Sequence, residues 1–369
     1  MKVLGIETSC DECAAAVVDG GIILSNVVAT QIPWHAPWQG VVPEIASRKH
    51  TEWIYDVVNE ALKKAGITPA EVEGAAATAQ PGLLGSLLVG LNFAKAFAWA
   101  RNIPFIAVDH LLAHLYASRL KYPLTDRVTD KATDKAPTDE TSCSCDKNMA
   151  AEYPFLGLLV SGGHSVICRA GNFDDVSVLG TTIDDAVGEA FDKVAKFYGF
   201  GYPGGAAIEK LAREGDSEAF TFPLPKLYKL DKQGNDHRYD VSYSGLKTAV
   251  VNQLEQFRAK PRGETETADI AASFQKTAVE ILLRPLLRAA EDTGLNTIVA
   301  GGGVAANSYL RARLAEHREL RVLFPPPELC GDNGAMVAGI GEQYLLRGDR
   351  SPLNAAASAR VKVFKKRYP

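Results

Sequence analysis

Two histidines four residues apart, in Asp109-His110-Leu111-Leu112-Ala113-His114, are the first residues whose types and spacing suggest chemistry. Positions i and i+4 of a helix lie on one face, so both imidazoles can reach a single metal ion. Two histidines packed together in a core satisfy the same spacing, and on the pair alone both readings stand. A metal also needs a further ligand, and none lies adjacent. Asp332, in Leu329-Cys330-Gly331-Asp332-Asn333-Gly334-Ala335-Met336, is a carboxylate between glycines where backbone can approach closely. Leu111 stands where a zinc protease of the H-E-x-x-H type has its general base, so this motif lacks what peptide hydrolysis requires.

A second set of residues suits phosphate. Glycine-rich turns that follow strands can bring backbone N–H groups close to phosphate oxygens. Three polar or glycine-rich turns of this kind occur, at Glu7–Glu12, Ser161–His164 and Gly301–Gly303. The chain has no G-x-x-x-x-G-K-[ST] P-loop, and no G-x-G-x-x-G follows its first strand. A nucleotide site built from these turns belongs to the actin, sugar-kinase and Hsp70 type, with ATP between two lobes. The alternative is that the glycines only make tight turns.

These residues need elements to hold them. Val3 to Ile6 reads as a strand, followed by the turn Glu7–Glu12, strands Ala14 to Val18 and Ile22 to Val28, and a hairpin turn at Gly20-Gly21. A helix from about Pro43 carries Ile45, Trp53, Ile54, Val57, Val58, Ala61 and Leu62 on one apolar face and stops at Gly66. Thr68 and Glu71 form a capping box before a short helix. Ala75 to Ala79 is a strand broken by Gln80-Pro81-Gly82, then comes a helix from Leu83 to about Ala100 and a strand from Ile103 to Val108. Strands alternating with helices predict an α/β fold with a mixed sheet.

The pattern then restarts. Phe155 to Val160, the turn Ser161–His164 and the strand Ser165 to Cys168 repeat the opening segment, with Gly5 and Gly157 in equivalent places. That predicts an internal duplication and two similar lobes. The strand ending in Ile298-Val299-Ala300-Gly301 opens a helix expected over Ala305 to Leu314. The resulting division is a first lobe at 1–120, an insertion at 121–150, a second lobe at 151–325, a return to the first lobe at 326–350 carrying Asp332, and a basic tail at 351–369. The insertion has four Thr-Asp pairs and almost no large apolar residues. Such composition cannot offset its own ordering entropy, so it is expected to be flexible and without catalytic part.

With 369 residues, 46% apolar and 23% charged, the chain is an ordinary globular protein with room for two cores. It contains no apolar run of roughly 18 residues, so no membrane span is expected, and its first residues do not resemble a signal peptide. The expectation is a cytoplasmic protein. A net charge of −4 argues against a surface that grips nucleic acid everywhere. The tail with Arg360, Lys362, Lys365, Lys366 and Arg367 is either a phosphate contact or a solvated terminus. Six cysteines, including Cys10/Cys13 and Cys143/Cys145, are expected as thiols in such a chain, with a four-thiolate zinc site as the alternative.

Taken in order, the motifs resemble one family. They are Gly5-Ile6-Glu7-Thr8-Ser9-Cys10-Asp11-Glu12, Val42-Pro43-Glu44-Ile45-Ala46-Ser47-Arg48, the two histidines, Leu159 to His164, Gly188-Glu189-Ala190-Phe191-Asp192-Lys193, Tyr202-Pro203-Gly204-Gly205, Ser244-Gly245-Leu246-Lys247-Thr248, Gly301 to Asn307 and Asp332 to Met336. Together they look like the tRNA N6-adenosine threonylcarbamoyltransferases, a family once called O-sialoglycoprotein endopeptidases. The match spans nearly the whole chain apart from 121–150 and the tail. Cys13 departs from it, standing where a threonine is usual.

The resemblance implies a two-lobed actin-like ATPase fold with ribonuclease-H-like lobes and a cleft between them. It implies transfer of threonylcarbamoyl from threonylcarbamoyl-AMP to N6 of the adenosine at position 37 of tRNAs reading ANN codons, forming N6-threonylcarbamoyladenosine (t6A) and AMP. His110, His114 and Asp332 match its metal ligands, with Fe(2+) or zinc as occupant. Val160, Ser161, Gly162, Gly163, His164, Asp192, Gly205, Glu209 and Asn307 match positions that hold the adenylate. The expected partners are tRNA, an inactive paralogue subunit (TsaB-like) and a small P-loop ATPase (TsaE-like). Asp11 or Glu12 is the candidate to take the amine's proton, and solvated turn carboxylates are the alternative. Asp192 could instead serve as a cap. Competing functions are an ATP-driven switch, which leaves the histidines idle, a metalloprotease, which leaves the nucleotide turns idle, and a scaffold without chemistry.

Overall fold

A computed structural model describes residues 1–123, 151–227, 236–258 and 264–360. Most of the insertion expected at 121–150, Cys143 and Cys145 within it, and the tail beyond Arg360 lie outside the described residues. In chain order the main elements are β1 (Val3–Glu7), β2 (Glu12–Asp19), β3 (Ile22–Thr30), α1 (Pro43–Lys64), β4 (Gly74–Gln80), α2 (Leu84–Arg101), β5 (Phe105–Asp109) and α3 (His110–Tyr116). There follow β6 (Phe155–Val160), β7 (Ser165–Ala170), β8 (Val176–Thr181), α4 (Val187–Tyr198), α5 (Gly204–Ala212), α6 (Ser244–Arg258) and α7 (Glu264–Thr293). The last are β9 (Thr297–Gly301), α8 (Ser308–Ala315), β10 (Arg321–Leu323) and α9 (Gly334–Arg347).

The chain forms two compact units. Among the described residues, one comprises 1–31, 43–123, 151 and 332–360; the other comprises 32–42 and the described part of 152–331. Each has a five-stranded sheet, in the orders β3-β2-β1-β4-β5 and β10-β9-β6-β7-β8. Read from the antiparallel edge inward, these are the same order. The first strand of each pairs antiparallel with the second and parallel with the fourth. Gly5 and Gly157 hold corresponding registers, opposite Ala16 and Ala76 in one sheet and Cys168 and Val299 in the other. The duplication expected from the strand–turn–strand repeat is therefore present in the backbone.

In the first unit the side chains of β1 alternate between two packed faces, as strand geometry requires. Leu4 and Ile6 join Ile54, Val57 and Leu91 in the core beneath α1 and α2. Gly5 faces α9 on the other side. A Cβ built there would lie 2.3 Å from the Ala338 nitrogen and 2.5 Å from the Gly334 carbonyl oxygen. Gly334 is equally confined, with Ala15 backbone carbon 2.6 Å from its own virtual Cβ. Helix and sheet thus meet backbone to backbone.

The hairpin between β2 and β3 is tied to the same helix. Gly20 and Gly21 have φ of 59° and 75°, the double left-handed turn that suits a two-residue hairpin loop. Their amides donate to Glu342 of α9 at 2.7 and 2.9 Å, and the Met1 ammonium stands 3.3 Å from the same carboxylate. These donors explain how Glu342 remains fully buried.

The second unit packs Leu156, Leu158 and Val160 against Phe191, Ile208, Phe274 and Leu282, with the Phe191 and Phe274 rings edge to face at 5.0 Å. Two expectations are refined here. The Thr68/Glu71 capping box is present but opens only a single 3-10 turn, Pro69–Glu71. The helix expected over Ala305 to Leu314 is split into a 3-10 turn at Gly303–Ala306 and α8, because Asn307 caps α8 through Leu310 N.

The Gly5 contact makes a direct prediction. Gly5→Ala places a methyl against backbone that cannot rotate away, so thermal and denaturant unfolding should show a loss of about 3 kcal/mol or more. A melting temperature within a degree of wild type would show that α9 is not seated as described.

Candidate metal centre and glycine cradle

The metal-type cluster is assembled at the C-terminal ends of parallel strands. β5 ends at Asp109, whose carboxylate accepts from Leu111 N at 2.9 Å and Leu112 N at 3.2 Å and so caps α3. That cap starts the helix at His110 and sets His114 one turn later. The two rings meet edge to face with centroids 4.6 Å apart, and all of α3 is buried. Asp332 arrives from the segment before α9, whose N-cap is Asn333, accepting from Met336 N at 2.9 Å. Asp332 Oδ1 lies 3.1 Å from His114 Nε2 and 3.5 Å from His110 Nε2. One ligand atom from each of the three residues falls within 4.8 Å of the others, and the described residues contain no second group of this kind.

Electrostatics match a cation site. Burial alone would push His110 down, but Asp332, Glu7 and Asp109 overcome it and raise the imidazolium to about 9. His114 is lowered by burial and by the neighbouring His110 charge. Burial opposes ionisation of Asp332, yet the two imidazoles and the Ser9 hydroxyl hold its carboxyl well below the ordinary range. The donor set is two imidazole nitrogens and one carboxylate oxygen around a common point, which suits a borderline divalent ion such as iron(II) or zinc. The residues therefore fit a metal.

Two further residues belong to this cluster and were not singled out in the sequence. Glu7, fully buried at the end of β1, accepts from His110 Nδ1 at 3.0 Å. Ser9 Oγ lies 3.3 Å from the same nitrogen and donates to Asp332 Oδ2 at 3.4 Å. The available signal was a carboxylate ending an otherwise apolar strand.

The acidic pair lies beside them. Glu12 begins β2 rather than ending the turn, and its carboxylate accepts from Thr30 Oγ1 at 3.4 Å. Burial first, then the charges of Asp11 and Asp332, push Glu12 up to about 10. Asp11 is anchored through its carbonyl, which accepts from Gln31 N at 2.9 Å. Burial and the Asp11 carboxylate keep Cys10 a thiol, and burial raises Cys13 to about 12. Cys10, Cys13, Cys168 and Cys330 are all free.

The second unit holds the other predicted residues. After Val160, Ser161 N donates to the His164 carbonyl at 2.8 Å and His164 N to Ser161 Oγ at 3.2 Å, closing a tight turn. Gly162 and Gly163 at its tip have open space where a Cβ would stand. Behind the turn, a Cβ on Gly188 would lie 2.7 Å from the Ser161 carbonyl oxygen, and one on Gly302 2.4 Å from that of Val160. The structure thus gathers the end of β6, the start of α4 and the Gly301–Gly303 cluster in one place.

Asp192 on α4 accepts from Gly204 N at 2.8 Å, fixing the loop that presents Gly205, whose Cβ position is also open. Glu209 accepts from Ser308 N and Oγ at 3.1 and 2.5 Å and from Asn307 Nδ2 at 3.3 Å. Asn307 also donates to Gln275 Oε1 at 3.0 Å while capping α8. Gln275 and Ser308 were not singled out in the sequence. Among the described residues no helix is long and apolar enough to cross a membrane.

Comparison with known proteins follows the same lines. The family model described as tRNA N6-adenosine threonylcarbamoyltransferase matches residues 22–127 and 141–339. A protein of that name from Treponema denticola is 60% identical over 368 residues, covering 100% of this chain and 99% of its own. Another, from Borreliella burgdorferi strain ZS7, is 47% identical and covers 100% and 96%. Among solved structures, full-length HypF in its phosphate- and nucleotide-bound form has a TM-score of 0.56 at 13% identity, covering 94% of this chain and 47% of HypF. The Acidaminococcus fermentans (R)-2-hydroxyglutaryl-CoA dehydratase component A has a TM-score of 0.50 at 12% identity, covering 94% and 99%. At these identities the two structures show a shared fold alone.

A cation at this cluster must compete with the His110 proton. With His110 near 9, the metal-free site carries that proton at pH 7 and must release it on binding. Calorimetry with zinc at pH 7, in buffers of different ionisation enthalpy, should show about one proton released per ion, falling toward none above pH 9. Apparent affinity should weaken roughly tenfold per pH unit on acidification below pH 9. Proton release that stays constant from pH 6 to 10 would contradict this charge assignment.

Proposed function

The chain belongs to the tRNA N6-adenosine threonylcarbamoyltransferase family, and we propose that it transfers the threonylcarbamoyl group of threonylcarbamoyl-AMP to N6 of adenosine 37 in tRNAs reading ANN codons. It is an acyltransferase that modifies tRNA. The observation that carries the fuller reading is the convergence of His110, His114 and Asp332 on one point, from segments far apart in sequence. A nucleotide switch has no use for that cluster. A protease of the H-E-x-x-H type would need a base where this chain has Leu111.

In this reading His110, His114 and Asp332 hold one divalent metal, iron(II) first and zinc second. When bound, the ion supplies Lewis acidity that polarises the carbamoyl oxygen and a point that orients the threonyl carboxylate. The Ser161–His164 turn offers the backbone of Gly162 and Gly163 at its tip to the adenylate phosphate. Val160, Asp192, Gly205, Glu209 and Asn307 complete the adenylate site. Asp192 and Glu209 act partly through the Gly204 loop and the α8 cap that they fix. The N6 amine attacks the carbamoyl carbon, the bond from that carbon to the phosphate oxygen breaks, and AMP leaves with its electrons. Burial and the Asp11 and Asp332 charges raise Glu12, which favours Asp11 over Glu12 as the residue that accepts the proton from N6. AMP is a good leaving group, so positioning supplies much of the rate.

The family resemblance further supports a cytoplasmic enzyme working with tRNA, an inactive paralogue subunit and a small P-loop ATPase. The direct test is in vitro transfer with synthetic threonylcarbamoyl-AMP and tRNA, followed by mass spectrometry of the nucleosides. Chelation or His110→Ala should lower formation of threonylcarbamoyladenosine by at least about a hundredfold, equivalent to about 2.7 kcal/mol of barrier. Wild-type rates in both conditions would remove the metal from the mechanism. Asp11→Asn should lower the rate of transfer more than it changes the KM for the adenylate. An effect on KM alone would assign Asp11 to binding instead.

A further inference from the structure

Glu7 carries a carboxylate with no exposure to solvent at the end of β1. A charge so placed is tolerated only where donors replace its water. Three donors meet it. Ser9 N reaches Oε1 at 2.5 Å, Thr78 Oγ1 from the neighbouring β4 reaches Oε2 at 2.5 Å, and His110 Nδ1 reaches Oε2 at 3.0 Å. Adjacent parallel strands thus deliver the carboxylate, a hydroxyl that anchors it, and the helix start that carries the imidazole.

We propose that Glu7 is a positioning residue for the metal centre. It accepts the Nδ1–H of His110 and thereby fixes the tautomer whose Nε2 lone pair points toward His114 and Asp332. The inference rests on the reading that these three residues hold a divalent cation. Ser9 Oγ competes for the same ring nitrogen, but at 3.3 Å, and it is also placed to donate to Asp332. An anionic acceptor at 3.0 Å outweighs a neutral hydroxyl at 3.3 Å, because charge-assisted bonds are roughly twice as strong. The two histidines differ in this respect. His114 Nδ1 is buried with no hydrogen-bond partner among the described residues, so that ring is oriented by packing and by Asp332 alone. Glu7 is therefore the group that sets ring orientation at the centre, and imidazole ligands held by a carboxylate in this way bind metal more tightly.

The experiment measures zinc affinity of the full chain by competition with a chromophoric chelator, for wild type, Glu7→Gln, Glu7→Asp and His114→Ala. Thermal unfolding of the metal-free forms is recorded in parallel. Glu7→Gln should fold and bind zinc roughly 10–100-fold more weakly, because its amide cannot accept from all three donors. Glu7→Asp, too short to reach both Thr78 and His110, should fall in the same direction. Affinities of both variants within about threefold of wild type would overturn the proposal. If wild type and His114→Ala bind zinc alike, it is the metal reading that fails, and the two failures are told apart. Nitrogen NMR of the zinc-loaded wild type decides the matter even if the variants do not fold. His110 should carry its proton on Nδ1 with Nε2 bound to the metal, and an unprotonated Nδ1 would refute the role given to Glu7.

Discussion

Helix α9 can lie on the first sheet only because neither surface has a side chain in the way. At Gly5 and Gly334 the backbones approach so closely that a single methyl would overlap main-chain atoms. The geometry at the helix start follows from this contact. Asp332 is two residues before Gly334, so seating the helix also seats the carboxylate over α3. Glu342, two turns further along, meets the β2–β3 hairpin from the same helix. A packing constraint between apolar surfaces therefore sets the placement of a polar cluster. Close-packed interiors compress little, so this contact leaves the helix little room to shift.

Local rules made parts of this legible in the sequence, and long-range ones hid the rest. The i, i+4 spacing announced that His110 and His114 share a face, since helix geometry alone decides it. Asp332 stood out as a carboxylate between glycines. The strand–turn–strand repeat disclosed the duplication, and the Thr68/Glu71 box was recognisable because its bonds span three residues. Glu7 was not legible as a partner of His110. It reads as the first residue of the polar turn Glu7–Glu12, and Thr78 and His110, which it binds, lie 71 and 103 positions away. The split before α8 was missed because the apolar pattern continues through Asn307, where a cap interrupts the backbone. β10, three half-buried residues long, has too little pattern to detect.

The two units present turns of different charge on one backbone plan. From the last residue of β1 the chain carries three acidic residues, Glu7, Asp11 and Glu12, and Glu7 faces the His110 imidazole at 3.0 Å. After β6 the corresponding turn has no acidic residue, only hydroxyl, glycines and a histidine, and a Cβ at Gly162 or Gly163 would meet open space. The sheets share their order while the turns differ in charge. Electrostatics at a turn can change without disturbing the strands that present it, because the turn's own bonds, such as Ser161 N to the His164 carbonyl, are local.

His114 and Asp332 are separated by 218 positions, with Glu152–Gly331 of the second unit lying between them in the chain. An ion gripped by both would be a cross-link that closes a very long loop, and closing such a loop removes a great deal of freedom from the unfolded chain. The same ion would favour the folded form by mass action. Under the proposed reading the ion would serve the transfer and also fasten a domain built from distant pieces, so removing it would loosen the architecture too.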